Sequence, residues 1–259
     1  MGITYSAPSP LLVAEGIPTS RAYLEALALA HDKFPGMSRD GLSLMALALS
    51  RNLRRLVLHE KHLLASLTSV SDDLCLELGK TLVADDGLLE LTVHDRNITT
   101  VSSHVDQLVF LQRLDLAHCS LTELPKSVGK LGRRADKKAG GFWSVGLADN
   151  RLERLPDTIA GWTKVRVLHL SNNRLVELPE DLAAMTCLEI LTVDTNRELK
   201  SLPEAFRRLK NLKFVDASNT ALEELPISFY TLPSLETLVL ECTNIDEIEE
   251  MVSWLTHGQ

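Results

Sequence analysis

Residues 165–179 read VRVLHLSNNRLVELP, and the placing of Leu168, Leu170, Asn173, Leu175, Leu178 and Pro179 within that stretch recurs along the chain. Counted from the first apolar position of each unit, Leu88, Leu111, Phe142, Val165, Leu188, Leu212 and Leu235 are separated by 23, 31, 23, 23, 24 and 23 residues. A period of this length is the mark of a solenoid, in which each unit stacks only on its neighbours. Alternating leucines such as Leu168 and Leu170 make a short strand with both side chains on one face. Stacked units then pair these strands into a curved parallel sheet, with leucines inward and the residues between them on an exposed concave face. Pro125, Pro156, Pro179, Pro203 and Pro226 each follow a leucine near the end of a unit. Apolar residues recur three and six positions later, as Val128 with Leu131, Ile159 with Trp162, Leu182 with Met185, Phe206 with Leu209 and Phe229 with Leu232, which predicts a short helical or 3₁₀ return on the convex side.

The asparagine of the motif recurs as Asn150, Asn173 and Asn196. A primary amide both donates and accepts, so turned inward it satisfies backbone groups left unpaired at the bend after each strand. Cys119, Thr220 and Thr243 stand at the same position as small substitutes, while Lys61 and Arg96 depart from the pattern. These asparagines read as a structural ladder rather than as reactive groups.

The unit LxxLxLxxNxLxxLP resembles the leucine-rich repeat, and its LP ending is similar to the intracellular Ras-suppressor and scribble-type subgroup. The first units are longer. A strand at Leu53, Leu56 and Leu58 is followed by SDDLCLELGKTLVADDG, a helical pattern from Ser71 to Gly87, and this part resembles the ribonuclease-inhibitor style of repeat. The resemblance covers residues 53–248 and implies an α/β solenoid of about eight repeats with a concave parallel sheet, a helical N-terminal cap and a short C-terminal helical cap. Members resembling this subgroup act as adaptors for small GTPases, phosphatases or polarity complexes, and the resemblance implies a role of that kind.

Outside the repeats, residues 1–17 read as an irregular arm. Gly2 and Ser6 fit M-G-x-x-x-[ST], a minimal acylation pattern; one acyl chain without a polybasic cluster gives only weak membrane anchoring. Residues 18–52 read as the helical cap, with an apolar stripe of Tyr23, Leu24, Leu27 and Leu29, a break at Pro35-Gly36, and a second helix burying Leu42, Leu44, Met45 and Leu47 or Leu49. Residues 249–259 form the C-terminal cap, with Ile248, Met251, Val252 and Leu255 on one helical stripe. Such terminal units shield the otherwise open ends of the core.

A formal charge of −8 and few aromatics, 5%, argue against the broad basic footprint of a nucleic-acid binder. Cys75, Cys119, Cys187 and Cys242 show neither CxxC spacing nor clustering, so neither a disulfide framework nor a zinc site is expected. The N-terminus lacks the pattern of a signal peptide and no apolar run is long enough to span a membrane, which predicts an intracellular, cytoplasmic protein and leaves the sequon Asn97-Ile98-Thr99 without a role.

The information about partners sits between the leucines. Taken in register, the third positions of the strands read Arg55, Glu90, Arg113, Ser144, Val167, Ile190, Phe214 and Thr237. Val167, Ile190 and Phe214 make an apolar strip that marks an interaction surface. Asp194, Asp216, Glu236 and Glu241 form an acidic rim toward the C-terminus, and Trp143 and His169 lie on the N-terminal side. A basic or mixed apolar and basic segment of another protein fits this face, with Phe214 and Trp143 as its anchors. The unit from Leu111 carries eight extra residues near 131–141, LGRRADKKAGG, whose Arg133, Arg134, Lys137 and Lys138 make a basic loop suited to an acidic partner.

The leading reading is therefore a non-catalytic adaptor or scaffold binding another protein through the concave face, in signalling. One alternative is a fixed subunit of a ribonucleoprotein or cytoskeletal assembly whose basic loop touches RNA or an acidic chain. The other is a metal-dependent enzyme centred on His59, His94 and His118; those histidines lack a third fixed ligand, and neither a metal nor a cofactor is expected.

Overall fold

The computed structural model describes residues 21–34, 42, 45–46, 55–59, 69–70, 88–133 and 141–245. The N-terminal arm with Gly2, most of the second cap helix, the Ser71–Gly87 stretch, Arg134, Lys137, Lys138 and the C-terminal cap lie outside these residues.

Eight strands form one parallel sheet: β1 (Arg55–His59), β3 (Glu90–His94), β5 (Arg113–Asp115), β6 (Ser144–Gly146), β7 (Val167–His169), β8 (Ile190–Thr192), β9 (Phe214–Asp216) and β10 (Thr237–Val239), in that spatial order. Two two-residue strands, β2 (Ser69–Val70) and β4 (Thr100–Val101), pair separately. The register runs Arg55, Glu90, Arg113, Ser144, Val167, Ile190, Phe214, Thr237. This is the line expected from the repeat spacing. It arises because a shift of one residue would turn every inward leucine to solvent.

Strands alternate with five-residue 3₁₀ turns at Ser103–Gln107, Lys126–Lys130, Asp157–Gly161, Glu180–Ala184, Glu204–Arg208 and Ile227–Thr231. Each of the last five starts after a proline whose φ lies between −56° and −71°, a value the pyrrolidine ring imposes. The turns bury Val105, Val128, Ile159, Leu182, Phe206 and Phe229 against the inward leucines of the strands. Each such side chain contributes about 1.5–3 kcal/mol by leaving water. Neighbouring turns approach so closely that a Cβ at Gly129 would sit 2.1 Å from the Thr158 carbonyl.

The bend after each strand is built alike. His118, Asp149, Asn172, Thr195, Asn219 and Cys242 adopt φ between 51° and 58°, a left-handed conformation that reverses the chain before the ladder position. Arg96, the departure from the ladder, is exposed, and its neighbour Asp95 is buried instead, its Oδ1 accepting the Asn97 N–H at 2.8 Å.

Helix α1 (Arg21–Lys33) occupies the expected span. Its buried row differs from the expected stripe: Ala26 and Ala30, continued by Phe34, face inward, whereas Leu29 is 37% exposed. Residues four apart fall on one helical face, and in an alanine-rich and leucine-rich helix that row need not carry the larger side chains. Ala30, Phe34 and Met45 join the same core as Leu56 and Leu58.

Candidate functional site

Strand residues at the third and fifth positions of each unit point away from the leucines, and the residues just before and after the strands extend this face. The third-position column places Val167, Ile190 and Phe214 side by side, each half-buried by its neighbours. Trp143 stands one residue before β6, half-buried; its N–H donates to the Gln112 carbonyl at 2.9 Å, and its own carbonyl accepts from Arg166 at 2.8 Å. That row continues through Arg166, Glu189, Lys213 and Glu236. Glu189 pairs with Arg166 at 3.8 Å and with Lys213 at 3.1 Å, so the edge beside the apolar strip alternates in sign.

The four carboxylates expected to form one rim fall in three columns. Asp216 lies in β9 opposite Thr192, Asp194 and Glu241 lie two residues beyond their strands, and Glu236 is exposed in the charged row before β10. Repeat spacing aligns equivalent positions only, and these four occupy different ones.

At the opposite edge of the face the polar residues converge. His94 Nε2 lies 3.1 Å from Asp115 Oδ1, and the His94 and His118 rings meet edge-on with centroids 5.5 Å apart. His118 Nδ1 lies 2.9 Å from Asp149 Oδ2, and Asn172 Nδ2 donates to Asp149 Oδ1 at 2.5 Å. Of the three histidines singled out in sequence, His94 and His118 thus come together, and the backbone of His59 pairs with that of His94. Among the described residues no three His, Cys, Asp or Glu side chains are grouped so as to hold a metal ion.

A second polar chain crosses from β7 to β8. His169 Nδ1 is 3.1 Å from Thr192 Oγ1, Ser171 Oγ is 2.8 Å from Thr192 Oγ1, and Ser171 Oγ donates to Asp194 Oδ1. Burial pulls the His169 pKa below its ordinary 6.5, with Asp115 and Asp194 opposing and Arg113 assisting. This group was not anticipated. Aligning the fifth and seventh positions of the units puts Asp115, Gly146, His169, Thr192, Ser171 and Asp194 together.

The ladder is visible atom by atom. Asn173 Oδ1 accepts the Leu152 N–H at 3.0 Å while Nδ2 donates to Leu147 and Leu170 carbonyls at 2.9 and 3.0 Å; Asn150 and Asn196 repeat the arrangement with Leu121 and Leu175. Cys119 Sγ donates to the Val93 carbonyl at 3.3 Å, and Thr220 and Thr243 hydroxyls donate to Ala217 and Leu240 carbonyls at 2.7 and 3.0 Å. Thr220 has no second arm, and there the extra Glu198 enters the chain: the Leu199 N–H turns to the Asn196 carbonyl at 3.1 Å instead.

Two other features lie off this face. Ile227, 76% exposed, follows Pro226 where Lys126, Asp157, Glu180 and Glu204 stand in the other units. An open groove of about 510 Å³ beside the asparagine bends is lined by Glu153, Arg174, Val176, Arg197 and Glu198, whose charges cancel. Arg133 is the described member of the basic loop and is exposed.

The Leucine Rich Repeat family model matches residues 110–131 and 164–185. A comparison with curated proteins finds no match. Among solved structures, the chain is similar to a leucine-rich repeat protein of Leptospira interrogans, with 23% identity and a TM-score of 0.66 over 86% of this chain and 58% of the other. It is also similar to an internalin of Listeria monocytogenes, with 18% identity, a TM-score of 0.54 and coverage of 81% and 67%. A third likeness is to TLR13 in complex with ssRNA13, with 20% identity, a TM-score of 0.52 and coverage of 82% of this chain and 31% of that one. The chain therefore spans well under two thirds of the Leptospira protein's length. No helix among the described residues is long and apolar enough to cross a membrane.

Proposed function

We propose that this chain, whose fold is the leucine-rich repeat solenoid, is a non-catalytic adaptor or scaffold that holds an extended segment of another protein on its concave face. The observation that carries the reading is the strip Val167, Ile190 and Phe214, three apolar side chains aligned on consecutive strands and left half-open to solvent. Elsewhere in that column stand Glu90, Arg113, Ser144 and Thr237, so the strip is a bounded patch with polar ends, as interaction sites are. Asp194 and Asp216 beside it favour a segment that joins apolar to basic residues. The free thiols Cys119, Cys187 and Cys242 fit work in the reducing cytoplasm.

Affinity capture with wild type, Phe214→Asp and Ile227→Asp tests this. Phe214→Asp is expected to lose a set of partners that Ile227→Asp, on the convex side, retains. A partner list unchanged by Phe214→Asp would overturn the reading.

A further inference from the structure

The buried strand β6 differs from its neighbours on the concave face. β6 contributes Ser144 and Gly146 to it and Ala148 follows, so the row between β5 and β7 carries only small side chains. Gly146 is flanked in register by Asp115 and by His169. A Cβ at Gly146 would lie 2.7 Å from Asp115 Oδ1, so the carboxylate leans over the glycine. Glycine inside a strand weakens it and marks places where another group approaches closely.

The proton positions around His169 follow from counting. Three contacts join His169, Thr192, Ser171 and Asp194, and each hydroxyl has one proton to give. A carboxylate only accepts, so the Ser171 proton goes to Asp194. The Ser171 to Thr192 contact then needs the Thr192 proton, and the His169 to Thr192 contact needs a proton on His169 Nδ1. For the neutral imidazole that burial favours, any other arrangement leaves one contact with two lone pairs facing each other. His169 is thereby the Nδ1–H tautomer, with a bare lone pair on Nε2.

We propose that Asp115, Gly146 and His169 form a seat for a lysine or arginine side chain of the partner segment, with the imidazole held as an acceptor by Thr192, Ser171 and Asp194. The proposal rests on the concave-face reading above and specifies its basic component. Ammonium and guanidinium groups carry donors only, and the seat offers acceptors: a carboxylate on one side and Nε2 on the other. Asp115 Oδ1 is already taken by the Ala117 N–H and by His94 Nε2, both at 3.1 Å, whereas Oδ2 faces, among the described residues, only Arg113, whose Nη2 stands 3.6 Å away, longer than a charge-assisted hydrogen bond, and whose side chain is 37% exposed. An incoming group can displace that contact. Val167 adjoins the seat across Ser144, so a basic residue here leaves its apolar neighbours over the strip.

The seat is pH-dependent. The charged groups facing His169 are Asp115 and Arg113 from β5 and Asp194 beyond β8; β6 and β8 themselves present Ser144, Gly146, Ile190 and Thr192. Burial keeps the imidazole neutral near pH 7. Protonation converts Nε2 to a donor and adds a positive charge, which expels a cation.

The test uses isotope-labelled full chain and two probes, acetyl-arginine amide and its uncharged citrulline analogue. Long-range nitrogen–proton spectra are expected to show His169 protonated on Nδ1 alone. The arginine probe is expected to shift the His169 ring signals saturably at pH 7.5, with a response about tenfold weaker at pH 5.5 and about tenfold weaker in Asp115→Asn. If Asp115→Asn does not fold, Gly146→Ala serves, its Cβ displacing the carboxylate. An Nε2–H tautomer, an equal response to citrulline, or a titration unchanged in a folded variant overturns the seat. These results concern the seat alone, because the probe needs no partner; failure of the concave-face reading shows separately, in the Phe214→Asp capture.

Discussion

Trp162 donates its indole N–H to the carbonyl of Val128 at 2.8 Å, across 34 residues of sequence. Val128 lies in one 3₁₀ turn and Trp162 ends the next, so the bond joins the two units on either side of the insertion. The indole is 2% exposed and meets Phe142 edge-on at 5.9 Å. Trp162→Phe keeps an aromatic ring but leaves the Val128 carbonyl with the Leu131 N–H alone, a loss of about 0.5–1.5 kcal/mol, with roughly 1 kcal/mol more for the lost volume. A lower urea midpoint at unchanged slope is the expected result; a midpoint equal to wild type would show that the bond does not hold the two units together.

The ladder allows a graded comparison. Asn173→Ala strands the Leu152 N–H in the interior, while the Leu147 and Leu170 carbonyls keep the Asn150 and Asn196 amides, and is expected to cost about 1–3 kcal/mol in chemical unfolding. Asn173→Thr supplies one hydroxyl, as Thr220 does for Ala217, and is expected to lose clearly less. Equal losses for the two would mean that a single hydroxyl bond contributes nothing at this position.

The sheet was legible in the sequence because two constraints agree. Side chains alternate with period two in a strand, and units repeat at a near-constant length, so only one register buries Leu114, Leu168 and Leu191 together. The polar groups of the face have no such double constraint. Asp194, Asp216, Glu236 and Glu241 are near in sequence terms yet occupy different columns, and the contact of His169 with Thr192 depends on facing positions in two units. A hydroxyl chain cannot be read from spacing within one unit. Helix α1 shows the same limit: its period was readable, but the choice between its alanine and leucine faces depends on what packs against it.

Thr195 occupies the left-handed bend at φ 58° where Asn172 and Asn219 serve neighbouring units. A β-branched residue is strained there, whereas asparagine is tolerated because its short polar side chain bonds locally. Thr195→Asn gives up a 3.2 Å bond to Asp194 Oδ2 at a half-buried site, and the relief of backbone strain outweighs it. Stabilisation by about 0.5–1 kcal/mol is expected in thermal melts, and a lower melting temperature would contradict the strain argument.

Thiol reactivity separates the cysteines. Burial pushes the Cys119 thiol up to about 11, so almost none is thiolate at pH 8, and its Sγ is engaged with the Val93 carbonyl. Cys242 is exposed and Cys187 half-buried. With iodoacetamide on the folded chain, peptide mass mapping is expected to find Cys242 modified first and Cys119 only after denaturation. Early labelling of Cys119 would mean that its unit opens far more readily than its packing implies.

His169 also leaves a mark on stability. Its folded pKa lies below the ordinary 6.5 of the unfolded chain, so below about 6.5 the unfolded state binds the proton that the folded state refuses. The contribution is therefore intact above the unfolded value, is lost as pH falls from there through the folded value, and is flat beneath it. His169→Gln keeps a side chain able to bond Thr192 but removes the titration. Melts of the two proteins between pH 7.5 and 5 are expected to diverge, wild type losing stability faster on acidification. Parallel curves would place the His169 pKa in the unfolded range and remove the basis for a neutral imidazole beside Gly146.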